Sequence, residues 1–126
     1  MDAILLNVNW LAVIVGTALA YGLGTLWFGP VFGKAWSAGS HNIKRPARMP
    51  MAAMTVQLVG TFLMAWAIGA TATIDALVTA IFIILAIAAV NMAGSMFSQK
   101  STAAALVDGG YVIAMGIVMI IVQGAL

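Results

Sequence analysis

Four uninterrupted apolar stretches, residues 8–28, 52–72, 76–94 and 103–122, occupy most of this 126-residue chain. Each is close to the roughly 20 residues that an α-helix needs to cross about 30 Å of hydrocarbon. Only 6% of the residues are Asp, Glu, Lys or Arg, against about 25% in an ordinary soluble domain. With 64% hydrophobic residues, a soluble fold would lack the polar surface to face water. A spanning β-barrel would alternate apolar and polar positions over segments of about ten residues, and no such alternation occurs. Helices satisfy their backbone groups internally, as lipid demands. The expected fold is therefore all-α, a polytopic membrane protein of four transmembrane helices arranged as two antiparallel hairpins in a single domain spanning residues 1–126.

Orientation follows from the loops. The first loop, residues 29–51, holds Lys34, Lys44, Arg45, Arg48 and the single His41, and no acid. Lys100 lies between the third and fourth stretches, whereas the N-terminus has only Asp2 and the second loop only Asp75. Short cationic loops stay cytoplasmic, so both termini are expected in the periplasm. The first stretch reads as a retained helix rather than a cleaved signal. Ala18-Leu19-Ala20 resembles a cleavage site, but no basic residue precedes it and the apolar run continues beyond it.

Trp10 and Trp27 stand 17 residues apart, near 25 Å in a helix, and with Trp36 and Trp66 they read as interfacial anchors. Gly29-Pro30 is expected to end the first helix. The cations of the long loop fit anionic lipid headgroups or, alternatively, a soluble partner. The short second loop makes the second and third helices antiparallel neighbours. No nucleic-acid module is present, so the expected partners are lipids and other membrane chains.

Three motifs carry a family resemblance. They are Asn9-Trp10-Leu11-Ala12-Val13, then Trp27-Phe28-Gly29-Pro30, then Phe32-Gly33-Lys34-Ala35-Trp36, followed near the end by Phe97, Lys100, Gly110-Tyr111 and Met115-Gly116. Together they resemble the family catalogued as domain of unknown function 1761, small bacterial integral membrane proteins of about four helices. Where members commonly show Tyr-Ser before the proline, this chain has Phe28-Gly29. The resemblance implies a bacterial inner-membrane location and no particular activity.

The chemistry available is narrow. Without cysteine there is no disulfide or thiolate metal site, and one histidine cannot supply bis-histidine haem ligation. No phosphate-binding loop and no Ser-His-Asp set occurs, so neither an enzyme nor a cofactor is expected. Nine methionines invite a Cu(I) reading around Met49, Met51, Met54 and His41, but pairs such as Met92/Met96 and Met115/Met119 have ordinary helix-packing spacing, and no metal site is expected.

Asp108 is the one charged residue inside an apolar stretch, and such residues are candidate sites because burying them is costly. The third and fourth helices fold about Gln99-Lys100. Asn91 and Asp108 therefore fall at one depth, roughly 12 Å in. Tyr111 shares the face of Asp108, Ser95 shares that of Asn91, and Gln57 enters at a similar depth from the second helix. Two readings follow. Asp108, Asn91, Gln57, Tyr111 and Ser95 are polar glue between helices, with Asp108 reaching towards Lys100, or they form a proton or solute site. A second pattern, Gly16, Ala20 and Gly24, is a small-residue stripe suited to close helix approach, expected in part to face a neighbouring chain. The leading expectation is a non-catalytic, oligomerising or accessory subunit of a membrane complex. The alternative is a small transporter or channel-like protein built on Asp108.

Overall fold

A computed structural model describes residues 5–42 and 50–126, and no strand occurs among the described residues. The loop cations Lys44, Arg45 and Arg48 lie outside the described residues. Four long helices, α1 (Trp10–Leu26), α3 (Met51–Ala72), α4 (Leu77–Phe97) and α5 (Thr102–Ala125), are joined by a short helix α2 (Gly33–Gly39) in the first connection. The long four are apolar and long enough to span a membrane, the first of them counted through Val31.

Local chemistry sets where these helices begin and end. The Asn9 side-chain oxygen accepts the Ala12 N–H at 3.1 Å, capping α1, and the Ser101 hydroxyl accepts the Ala104 N–H to cap α5. Each cap satisfies a backbone donor that lipid would otherwise strand. Asp75 and Gln99, at φ 52° and 64°, occupy the left-handed position after α3 and α4. In both turns the next N–H reaches back five residues, from Ala76 to Thr71 at 2.9 Å and from Lys100 to Ser95 at 3.1 Å. This is the Schellman pattern, and it folds α4 directly back onto α5 with Lys100 at the corner.

The end of α1 differs from expectation. The chain does not stop at Gly29-Pro30 but widens into a π-turn over Trp27–Val31. Pro30 has no N–H to give to a preceding carbonyl. The Phe32 N–H instead reaches back five residues to the Trp27 carbonyl at 3.0 Å. Gly29, at φ −105° and ψ −105°, departs from helical geometry at this point. The π-turn and α2 then form a strap that packs on α5 instead of leaving the whole connection to the headgroups. Gly39 makes this possible, because any side chain there would collide with Ser101 and Ala104. The Gly39 carbonyl accepts the Ser101 N–H at 2.8 Å.

The most buried helix is α5, which packs against α1, α2, α3 and α4. Its small residues are the points of approach. Gly116 faces Ile84, Gly109 faces Met92, and Gly110 faces the Trp27 ring. The expected stripe on α1 is used in the same way, against α5 rather than another chain. Gly16 lies against Met119 and Gly24 against Tyr111, while Ala20 is fully buried. Lipid tails give helices no hydrophobic reason to associate, so close backbone approach of this kind does most of the holding. In contrast, α3 and α4 meet only sparsely away from their turn, which leaves that corner of the bundle open.

Candidate functional site: a carboxylate hub beside an open cleft

Asp108 lies two turns into α5 and is only 7% exposed. Three donors from three different segments converge on its carboxylate. From α2, the Trp36 indole Nε1–H donates to Oδ1 at 2.7 Å. From α4, the Ser95 hydroxyl donates to Oδ2 at 2.5 Å. From the corner, the Lys100 ammonium pairs with Oδ2 at 3.1 Å. Asn91 donates its amide N–H to the Asp108 main-chain carbonyl at 3.1 Å. The Ser95 proton has an alternative acceptor in the Asn91 carbonyl at 3.2 Å. The shorter, charge-assisted bond to the carboxylate is the stronger of the two. Lys100 also lies 5.0 Å from the Trp36 ring centroid, a cation–π distance.

Aromatic contacts and bonds to main-chain carbonyls surround this hub. Phe28 stacks edge-on against both Trp36 and Tyr111, at 5.3 and 5.2 Å. The Trp27 Nε1–H donates to the Val107 carbonyl at 2.9 Å, and the Tyr111 hydroxyl donates to the Ala20 carbonyl at 2.7 Å. His41 Nε2 lies 2.9 Å from the Ser98 carbonyl oxygen. The strap is thus tied to the start of α5 and the end of α4 at several points. Trp27 and Trp36, expected as interfacial anchors, are internal ties, because each indole N–H finds an acceptor on α5. Trp10 and Trp66 pair at the opposite end of the bundle, 5.2 Å apart.

The residues expected at the site do not all join one hydrogen-bonded cluster. Ser95 bonds the carboxylate and Asn91 bonds the main chain beside it. Tyr111 shares the face but spends its hydroxyl on α1. Gln57 donates to the neighbouring Thr61 hydroxyl at 3.1 Å and faces the same space without touching Asp108. Trp36 is the member that sequence reasoning missed. It lies 72 residues from Asp108, in a stretch marked only by the Phe32-Gly33-Lys34-Ala35-Trp36 motif. Lys34 is exposed and takes no part in the hub.

That shared space is a cleft. One part, about 590 Å3, lies between α3 and α4 with Tyr111, Val112 and Met115 of α5 as its floor. A second part, about 520 Å3, runs under the strap past Tyr21, Thr25, Phe28, Trp36 and Asp108. Gln57, Asn91 and Tyr111 line both parts. Among the described residues no three His, Cys, Asp or Glu side chains converge, so the hub gathers hydrogen-bond donors around a single acid.

The sequence profile of the proteins of unknown function called DUF1761 matches residues 11–124. The chain belongs to this family. Neither a curated protein nor a solved structure matches it. Within this DUF1761 chain, the motifs that carry the earlier resemblance have visible structural work. Asn9 caps α1, Trp27 and Trp36 tie the strap to α5, and Lys100 meets Asp108. Gly116 admits Ile84.

Proposed function

We propose that this DUF1761 protein is a non-catalytic, multi-pass protein of the bacterial inner membrane, acting as an oligomerising or accessory subunit of a membrane complex. The observation that carries this reading is the engagement of the Asp108 carboxylate by Trp36, Ser95 and Lys100. A carboxylate held by three donors, one of them a cation, is suited to joining helices. To carry a solute or proton it would have to give up partners whose loss leaves polar groups unpaired within the bundle. The surface left to neighbours is broad and apolar, most extensively on the face of α4 where Val78, Phe82 and Leu85 stand exposed. The alternative, a small transporter, is supported by the cleft that reaches Asp108 beside Gln57 and Asn91.

Purification from native membranes in a mild detergent tests the subunit reading. The expected result is a species larger than one chain, made of this protein alone or with a co-purifying membrane partner. A monodisperse single chain with nothing attached would overturn it.

The positive-inside bias supports a topology with both termini in the periplasm, since the cations belong to the first and third loops. A reporter fused after Leu126 is expected to behave as periplasmic, and one inserted within residues 43–49 as cytoplasmic. The opposite pattern would invert the orientation.

A further inference from the structure

The cleft carries polar groups that the hub does not use. Gln57 and Asn91 each spend one amide N–H, on Thr61 and on the Asp108 main chain, and among the described residues their side-chain oxygens accept nothing. Both side chains are exposed, and both stand well inside apolar spans. An amide oxygen left unpaired against hydrocarbon is unfavourable, so a polar group that donates to it is called for at this point. Charge defines what kind. Lys100 already neutralises Asp108, so a cation would compete with Lys100 and an anion would meet the carboxylate. Two carboxamides supply donors and acceptors together, which suits an uncharged hydroxyl or carbonyl. Away from these amides, Val56, Met64, Ile87, Val90 and Met115 give an apolar lining. The volume of about 590 Å3 falls in the range of sites that enclose small ligands. The opening lies between two spanning helices, so the ligand enters from the bilayer.

We propose that the cleft between α3 and α4 binds a long-chain amphiphile with an uncharged hydroxyl or carbonyl head. Gln57 and Asn91 hold the head, and the chain lies along the apolar groove over Val112 and Met115. A neutral glyceride and an isoprenoid or alkyl quinone share this chemistry. The site does not depend on the subunit reading, because it is measured on the purified chain without any partner.

Trp36 lines the polar end of the cleft and, with Trp27 as the second remaining indole, serves as the reporter. In a Trp10→Phe/Trp66→Phe background, in nanodiscs, two uncharged probes are titrated against Trp fluorescence: a dibrominated monoacylglycerol and a decyl benzoquinone. Dibrominated alkyl sulfate and alkyl trimethylammonium are the charged controls. At least one uncharged probe is expected to quench saturably and to be displaced by its non-quenching analogue, and which of them does so distinguishes glyceride from quinone. Charged probes are expected to quench no more than brominated bulk lipid. Gln57→Leu and Asn91→Leu should each weaken the uncharged probe about five- to tenfold, the scale of one neutral hydrogen bond, and Gln57→Leu should leave the thermal transition unchanged. Quenching that never saturates, equal quenching by the charged probes, or no effect of Gln57→Leu would overturn the proposal. The chain has no cysteine, so Val90→Cys adds a further check. Efficient disulfide-linked dimers of that variant in membranes would show the cleft filled by a second copy, also overturning it.

Discussion

Replacing Asp108 by leucine is expected to destabilise the chain by about 3 kcal/mol, the low end of the range for breaking a buried ion pair. The loss stays at that end because Lys100 can turn outwards to the headgroups, and Ser95 can return its proton to the Asn91 carbonyl 3.2 Å away. Trp36 has no such recourse among the described residues, since its indole N–H is aimed at the carboxylate at 2.7 Å. The strap should therefore loosen first, exposing the start of α5. Asp108→Asn keeps the shape and one acceptor oxygen and exchanges charge-assisted bonds for neutral ones. Its expected cost is about 1–2 kcal/mol. Thermal unfolding in mild detergent separates the two variants, and a Trp36→Phe change should cost clearly less in the Asp108→Leu background than in the native chain. Native-like melting of Asp108→Leu would contradict the role of the hub.

The other large effect is expected at Gly24. A Cβ built there lies 2.8 Å from the Tyr111 hydroxyl oxygen and 3.2 Å from its ring, so a leucine would have to push Tyr111 aside. Tyr111 would lose its hydrogen bond to the Ala20 carbonyl and its packing on Phe28. Overpacking of this kind costs about 1–3 kcal/mol, with the lost hydrogen bond in addition. Gly22→Leu, on the same helix, meets nothing within 4 Å and should be almost silent. The measurement is the thermal transition of the two variants side by side. Equal transitions would remove the α1–α5 contact from the account of stability.

The contrast between Gly24 and Gly22 shows where sequence reasoning reaches its limit. Spacing alone marks Gly16, Ala20 and Gly24 as a surface for close approach, because small residues every four positions share a face. It does not say what approaches. The partner is α5 of the same chain, since Met119 and Tyr111 occupy the space. The spans and the depth match of Asn91 and Asp108 were legible for a simple reason. A tight turn at Gln99 makes α4 and α5 mirror each other in register, so positions equally far from the turn must meet. Lys100 was legible as a partner of Asp108 because a long cationic side chain at a helix start can reach two turns along it.

The strap was not legible. The π-turn forms around Pro30, which has no N–H to give, and the same Gly29-Pro30 pair reads equally well as a helix stop. Once the chain runs on instead of stopping, Trp36 is brought back over the end of the bundle. No local periodicity records that return. Bonds from Trp27 and Tyr111 to the main-chain carbonyls of Val107 and Ala20 are likewise invisible in sequence, because every residue has a carbonyl. Gln57 illustrates the opposite error. Its depth was right, but a nearer partner, Thr61 one turn away, captured its amide.

The central claim is that Asp108 joins helices and does not carry cargo. Its most direct test is flux in proteoliposomes, with the native chain and Asp108→Asn reconstituted at matched density and orientation. The expected result is no proton or solute flux above protein-free vesicles for either chain, with Asp108→Asn still folded by its thermal transition. Flux through the native protein that disappears in a stably folded Asp108→Asn variant would contradict the claim and establish Asp108 as a transport site.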